Sequence, residues 1–211
     1  MSKVTLGPRP MLYPMPAILV GANVDNKPDF ATVAWCGIVN GNPPTISISL
    51  QHHRHSLKGI RQNNTFSANI PSADQAKETD YCGIFSGSKT DKAADCGFKV
   101  IYGKLNTAPM IDQCPVNLEC RVLHTLNLGS HTMVVGQIEE VYISESCLTR
   151  GQPDIEKINP LLWIVWNVIP GDKPAEADAP QGNQYREIGR IIGESRKLGR
   201  QLKKEQHGYT P

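Results

Sequence analysis

The run His52-His53-Arg54-His55-Ser56 gathers three of the chain's six histidines, an arginine and a hydroxyl within five residues. Metal ligation, nucleic-acid contact or the cradling of a single anion could each use such a set. A zinc site needs three or four converging ligands, and no Cys, Asp or Glu lies within ten residues of this run. In an extended chain His53 and His55 would point one way while His52 and Arg54 point the other. An anion fits the residue types better. Where a strand ends and a helix begins, free N–H groups, a hydroxyl and a guanidinium can meet on a phosphate. The competing reading of this stretch alone is a solvated polar turn.

Three further places could carry chemistry. In SGSKTDK, residues 86–92, glycine allows close backbone approach, and Ser86, Ser88, Thr90 and Lys92 offer donors to an anion or a polar ring edge. The order G-x-x-x-x-G-K-[ST] is missing, so this is not a nucleotide P-loop; taken by itself it reads as a flexible loop. Trp35 stands beside Ala34 and Cys36, where it could pack in the core or line a pocket for a flat ligand. His131 follows a Gly129-Ser130 turn and opens a long strand, as a barrel-rim residue or a catalyst would.

The elements that must position these residues are mostly strands. PAILVGANV (16–24) reads as a strand, DNKPD as the turn after it, and FATVAWCGIV (30–39) as its hairpin partner. TISISL (45–50) alternates with period two. Ser56 reads as the cap of a short helix, SLKGIRQNN. TFSANIP is another strand, ADQAKETDYCG (73–83) is helical, and residues 83–98 form a loop ending in a helical turn. Long strands are expected near 116–128 and 131–144, with Leu118, Cys120, Val122, His124 and Leu126 on one face of the first. PLLWIVWNV (160–168) closes the list. Six or more short strands with few long helices predict an all-β barrel.

Composition narrows the function classes. The chain has 211 residues, 39% hydrophobic and 20% charged, as an ordinary globular domain has. No apolar run approaches the roughly 18 residues of a membrane span, and the proline-broken N-terminus does not read as a signal peptide. The six cysteines, at 36, 82, 96, 114, 120 and 147, form no C-x-x-C pair. They are expected as reduced, partly buried thiols in a cytoplasmic protein. Residues 183–211 carry seven Lys/Arg against three Asp/Glu, leaving 15 basic and 17 acidic residues in the rest. A near-neutral body with a basic tail argues against nucleic acid as partner. Residues 170–183 read as a Pro/Gly-rich surface excursion, and 184–211 as a basic C-terminal helix of the same domain, with Tyr185, Ile188 and Ile192 near helical spacing.

Five motifs in order carry a resemblance: D-N-K-P-D-F-A-T-V-A-W after the PAILV strand, R-H-S-L, D-Y-C-G-I-F-S-G-S-K-T-D-K, G-S-H before V-V-G-Q-I, and N-P-L-L. Together they resemble the flavin reductase-like family with an FMN-binding split barrel, most of all its flavoredoxin branch. The likeness runs from about residue 8 to 169 and resumes at NQYREIG. It implies a split β-barrel over residues 1–169 with a few short helices, a homodimer, and one FMN per subunit near the interface. Implied cofactor contacts are Asp29, Thr32 and Trp35 from the first motif, the phosphate turn Arg54, His55 and Ser56, then Ser86, Gly87 and Lys92, then His131 and Ile164. His131 would also be catalytic, donating a hydrogen bond or proton near the reacting edge, and Lys92, if near the ring's carbonyl edge, would stabilise the anionic hydroquinone. Implied electron donors are NAD(P)H or a redox protein such as ferredoxin; a non-enzymatic flavin-binding or sensor module is the alternative. Three positions depart from the family's pattern: Asp29 stands where relatives carry Asn, Ser130 where many NAD(P)H-using members carry Asp, and Ile164 where an aromatic is expected, with Trp163 or Trp166 able to compensate.

Overall fold

The computed structural model describes residues 2–165 and 183–192. In chain order its elements are β1 (Met15–Pro16), β2 (Ile18–Val24), β3 (Lys27–Val33), β4 (Cys36–Gly41), β5 (Pro44–Gln51), α1 (His55–Asn63), β6 (Thr65–Ile70), α2 (Ala76–Ile84), α3 (Lys92–Asp95), β7 (Val100–Ile101), β8 (Met110–Ile111), β9 (Val116–Leu128), β10 (His131–Ile143), β11 (Leu148–Thr149), β12 (Gln152–Pro153), α4 (Ile155–Ile158), β13 (Leu162–Ile164) and β14 (Gln184–Arg186).

Seven strands form one antiparallel sheet in the order β3-β2-β6-β9-β10-β5-β4. Its two edges, β3 and β4, are consecutive in the chain and separated only by Ala34 and Trp35. In a flat sheet those edges would lie roughly 28 Å apart, six spacings of about 4.7 Å. The three Cα steps from Val33 to Cys36 reach at most about 11 Å. The sheet therefore curls until its edges approach each other without hydrogen-bonding as neighbours. This is the mainly β, split-barrel architecture that the sequence predicts.

All seven residues of β2 are buried because both its faces are covered. Ile18, Val20 and Ala22 join Ile46, Ile48, Leu50, Phe66 and Val134 inside the curl, where Leu57 and Ile60 of α1 plug it. Leu19, on the other face, packs with Phe30, Cys82, Ala93, Ile111 and Cys114 beneath α2 and α3. All six cysteines are free thiols, none fully exposed, as read from the sequence. Among the described residues no helix is long and apolar enough to cross a membrane.

Several local expectations change. The β2–β3 turn is only Asp25-Asn26, both at positive φ (49° and 66°), so Lys27, Pro28 and Asp29 are strand rather than turn. A two-residue turn with both centres left-handed matches the twist of paired strands. The single strand expected over 30–39 is two strands, because β3 pairs with β2 and β4 pairs with β5 at the opposite edge. On β9 the shared face ends at Val122. Leu123 is skipped in the pairing (Val135 opposes His124, Gly136 opposes Val122), and this bulge reverses which side His124 and Leu126 face. Residues from Leu123 to Leu128 are exposed. At the expected start of the C-terminal helix, Gln184–Arg186 is instead a strand on β13. The remainder of that expected helix from residue 193, the excursion over 170–182 and Trp166 lie outside the described residues.

Candidate functional site

A cleft of about 360 Å³ opens at the break between β3 and β4. Trp35 occupies the break, and its carbonyl accepts a hydrogen bond from the Ser49 N–H at 2.9 Å, anchoring it to β5. The register that pairs His131 with Gln51 brings the start of β10 to the same place. The Trp35 and His131 rings lie 4.4 Å apart, tilted by 32°. Thr32, Ser49, Gln51 and Arg54 line the same cleft, as do Asp80, Gly83 and Ile84 of α2. Trp163, Asn183 and Tyr185 complete the wall. Four residues singled out in the sequence thus converge here: Thr32, Trp35, Arg54 and His131. The Thr32 hydroxyl donates to the Thr79 carbonyl and is thereby tied to α2.

Next to the cleft lies a basic hollow of about 430 Å³ lined by His52, His53, Arg54, His55, Lys58, Arg61 and Gln62. Arg54 belongs to both cavities. It holds the N-cap position of α1 without a side-chain cap, and its Nη1 donates to the Gly83 carbonyl at 2.6 Å. Burial lowers its pKa, and the charge of Asp29 works in the opposite direction; a guanidinium stays charged in either case. Lys58 is paired with Asp25 at 2.6 Å at the rim. His131 has its pKa lowered below the ordinary 6.5, first by burial and then by its neighbours His52, Arg54 and His53. Its Nδ1 lies 2.8 Å from the Ser130 hydroxyl. In the tautomer in which Ser130 donates, Nε2 carries the ring proton.

Other predicted site residues lie behind the cleft wall. Ser56 falls in the first turn of α1, fully buried, and does not cap the helix; its hydroxyl donates to Asp29 Oδ2 at 2.6 Å. Asp29 Oδ1 lies 3.2 Å from the Lys92 ammonium, with both side chains at most 5% exposed. Lys92 Nζ also donates to the Phe30 carbonyl and approaches the Cys82 carbonyl at 3.5 Å. Two carbonyls and the charge of Asp29 thus surround the ammonium, Asp29 Oδ1 itself accepts no hydrogen bond, and neither Lys92 nor Asp29 lines the cleft. Both sit behind the wall because β3 alternates and α3 starts under its outer face. Ser86 turns to Ser88 and Gly87 to Asp29. Ile164 alternates with Trp163 on β13, and Trp163 is the one that faces the cleft.

Reading motifs alone missed Ser49, Gln51, Asp80 and Tyr185. The first two were detectable, since the alternation in TISISLQ sets Ser47, Ser49 and Gln51 opposite Ile46, Ile48 and Leu50. Tyr185 had no such signal. Its hydroxyl donates to Asp80 Oδ1 at 3.1 Å across 105 positions of sequence, and burial, then the Asp80 charge, raise its pKa. Among the described residues no group of three His, Cys, Asp or Glu side chains forms a metal site.

This set of groups can hold a flat, polar-edged ring against Trp35 and His131 while Arg54 and the basic hollow take an anionic tail. Known proteins point the same way. Residues 11–165 match the family described as the flavin reductase like domain. The flavoredoxin of Methanosarcina acetivorans is 38% identical, covering 96% of this chain and 100% of that one with a TM-score of 0.83. The flavoredoxin of Desulfovibrio vulgaris (Miyazaki F) is 30% identical over 94% of this chain and 100% of that one, with a TM-score of 0.80. An FMN reductase (NADH) of Acinetobacter baylyi is 24% identical over 59% of this chain and 63% of that protein.

Proposed function

Since the chain belongs to the flavin reductase-like family, whose members here are flavin-binding oxidoreductases, we propose that it is an FMN-dependent electron-transfer protein of the flavoredoxin type. The observation that carries this reading is Arg54, which lines both the aromatic cleft and the basic hollow. A ring with a phosphorylated tail needs such a hinge point between its apolar and anionic halves. The donor set fits FMN on its own chemistry: aromatic planes for the ring, and a guanidinium, imidazoles and first-turn N–H groups for the phosphate.

Bound FMN would supply the hydride and single-electron chemistry. The chain's residues do the rest. Arg54 and His55 hold the phosphate, and Trp35 fixes the ring plane. Thr32, Gln51 and Ser49 offer hydrogen bonds to ring edges. His131, neutral at pH 7 because its pKa is lowered, would offer a hydrogen bond from Nε2–H to a ring edge in the tautomer in which Ser130 donates to Nδ1. Trp163, Ile84 and Tyr185 exclude water from the cleft.

Likeness to two flavoredoxins over nearly the whole chain, and Ser130 in place of the Asp of nicotinamide-using relatives, support a redox protein as electron donor over NAD(P)H. A homodimer is supported by exposed Ile38 and Val39 on edge strand β4 and exposed Leu126 and Leu128 at the hairpin end, and light scattering tests it. Anaerobic stopped-flow reduction by NADH, NADPH and a reduced ferredoxin tests the function. Fast reduction by ferredoxin alone is expected. Protein that fails to bind added FMN overturns the proposal, and protein that binds it but accepts electrons from none of the three is a flavin-binding sensor instead.

A further inference from the structure

We propose that His52 is a positioning residue for His131: its imidazole clamps the turn between β9 and β10 and so sets where the His131 ring stands against Trp35. Its effect on a bound flavin rests on the FMN reading above.

Pairing between β5 and β10 ends with Gln51 opposite His131. Past that point the chain turns away from β5 into α1, the Arg54 N–H donating to the Gln51 carbonyl at 3.0 Å. The Gly129-Ser130 turn, with Gly129 at φ 63°, thus projects beyond the ladder. The His52 side chain continues the ladder where the backbone cannot. Its Nε2 meets the Gly129 carbonyl, and its Nδ1 lies 3.0 Å from the Thr132 hydroxyl. These two anchors stand on either side of Ser130 and His131. A carbonyl only accepts, so Nε2 carries a proton.

Thr132 is fully buried and held from two further directions. Arg61 of α1 donates to its Oγ1 at 3.3 Å, and its hydroxyl lies 3.1 Å from Asn127 Oδ1. Although His52 borders the basic hollow, both its ring nitrogens are engaged by the hairpin. An anion in the hollow would be met by its neighbours instead. Trp35 is fixed to the same strand, through Ser49. The 4.4 Å spacing of the Trp35 and His131 rings is therefore referred to β5 from both sides, by Ser49 for one ring and by Gln51 and His52 for the other. Without the His52 imidazole, His131 is held only by the last rung of the ladder, next to a hairpin end that is exposed from Leu123 to Leu128.

The test uses full-length apoprotein with labelled histidine carbons, studied by NMR. The His131 ring signal is identified by its loss in His131→Ala, and the ring current of Trp35 displaces it in the wild type. His52→Ala should move that signal toward its position in the unfolded chain. His52→Gln, whose amide N–H can reach the Gly129 carbonyl and whose oxygen can take the Thr132 hydroxyl, should leave it near the wild-type position. Flavin affinity is then read by fluorescence quenching with FMN and with riboflavin, which has the ring but no phosphate. Both should bind about threefold or more weaker to His52→Ala, the scale of one hydrogen bond, and His52→Gln should recover most of that loss. In the His131→Ala background, His52→Ala should add less than about 1.5-fold, because the two residues act as one unit. An unmoved His131 signal in His52→Ala, a glutamine variant that behaves like alanine, a loss confined to FMN, or the same loss in the His131→Ala background would overturn the proposal. Wild-type protein that binds neither flavin defeats the FMN reading alone, because the His131 signal of the apoprotein still decides the clamp.

Discussion

Residues 54 and 56 are two positions apart, yet they serve opposite kinds of environment. Arg54 stands at a half-open cleft, where its charge can reach a ligand. Ser56 is fully buried and answers to Asp29 and, through it, to Lys92. The cleft is built from aromatic planes and polar side chains with spare capacity, whereas the buried group is paired by charge inside the protein, with Asp29 Oδ1 accepting no hydrogen bond. A binding site needs groups whose hydrogen bonds are unfinished. The interior tolerates charge only where an opposite charge pairs it. A residue's type therefore says less about its role than whether the fold leaves it a partner.

That contrast gives opposite signatures on mutation, and the largest effect should come from the buried side. Lys92→Met leaves the Asp29 carboxylate buried without its counter-charge, which costs about 3–5 kcal/mol. For a chain of this size that lowers Tm by roughly 6–20 °C, readable by calorimetry in the absence of flavin. An unchanged Tm would mean that the two charges are not coupled.

Arg54→Ala should do the reverse. Stability should hold within about 1 kcal/mol, while FMN binding weakens about 10- to 150-fold, the loss of a charge-assisted contact worth roughly 1.5–3 kcal/mol. Isothermal titration with FMN and with riboflavin checks this, since riboflavin should lose far less. Trp35→Leu sharpens the picture on the ring side. Removing an aromatic contact of about 0.5–1.5 kcal/mol should weaken FMN and riboflavin alike, by about 2- to 13-fold. Unequal losses there would place Trp35 on the tail rather than the ring.

The smallest effect is on pH dependence. His131 has a lowered pKa in the folded chain, so below the ordinary 6.5 the unfolded chain binds this proton more readily. The stability tied to neutral His131 is then fully present above about pH 6.5 and is lost as pH falls from there through the folded pKa. His131→Gln should flatten that slope in urea titrations between pH 7 and pH 5, and a slope identical to wild type would remove His131 as its source.

The sequence by itself determined where most strands lie, though not the break at Ala34 and Trp35 or the strand at Gln184–Arg186, because alternation and turn chemistry act over a few residues. TISISL became β5, the Gly129-Ser130 turn joined β9 to β10, and the motif order identified the family. It also picked out Trp35, Arg54 and His131, which converge on the cleft. Only the tertiary structure decided which polar residues would be exposed to a ligand and which would be consumed internally. Asp29 and Lys92 are 63 positions apart, and Tyr185 meets Asp80 across 105. No local pattern encodes pairings that arise when a sheet curls and its two edges are joined by Ala34 and Trp35. Burial then sorts neighbours such as Arg54 and Ser56, because a hydroxyl can be satisfied by one buried carboxylate while a guanidinium with five donors cannot.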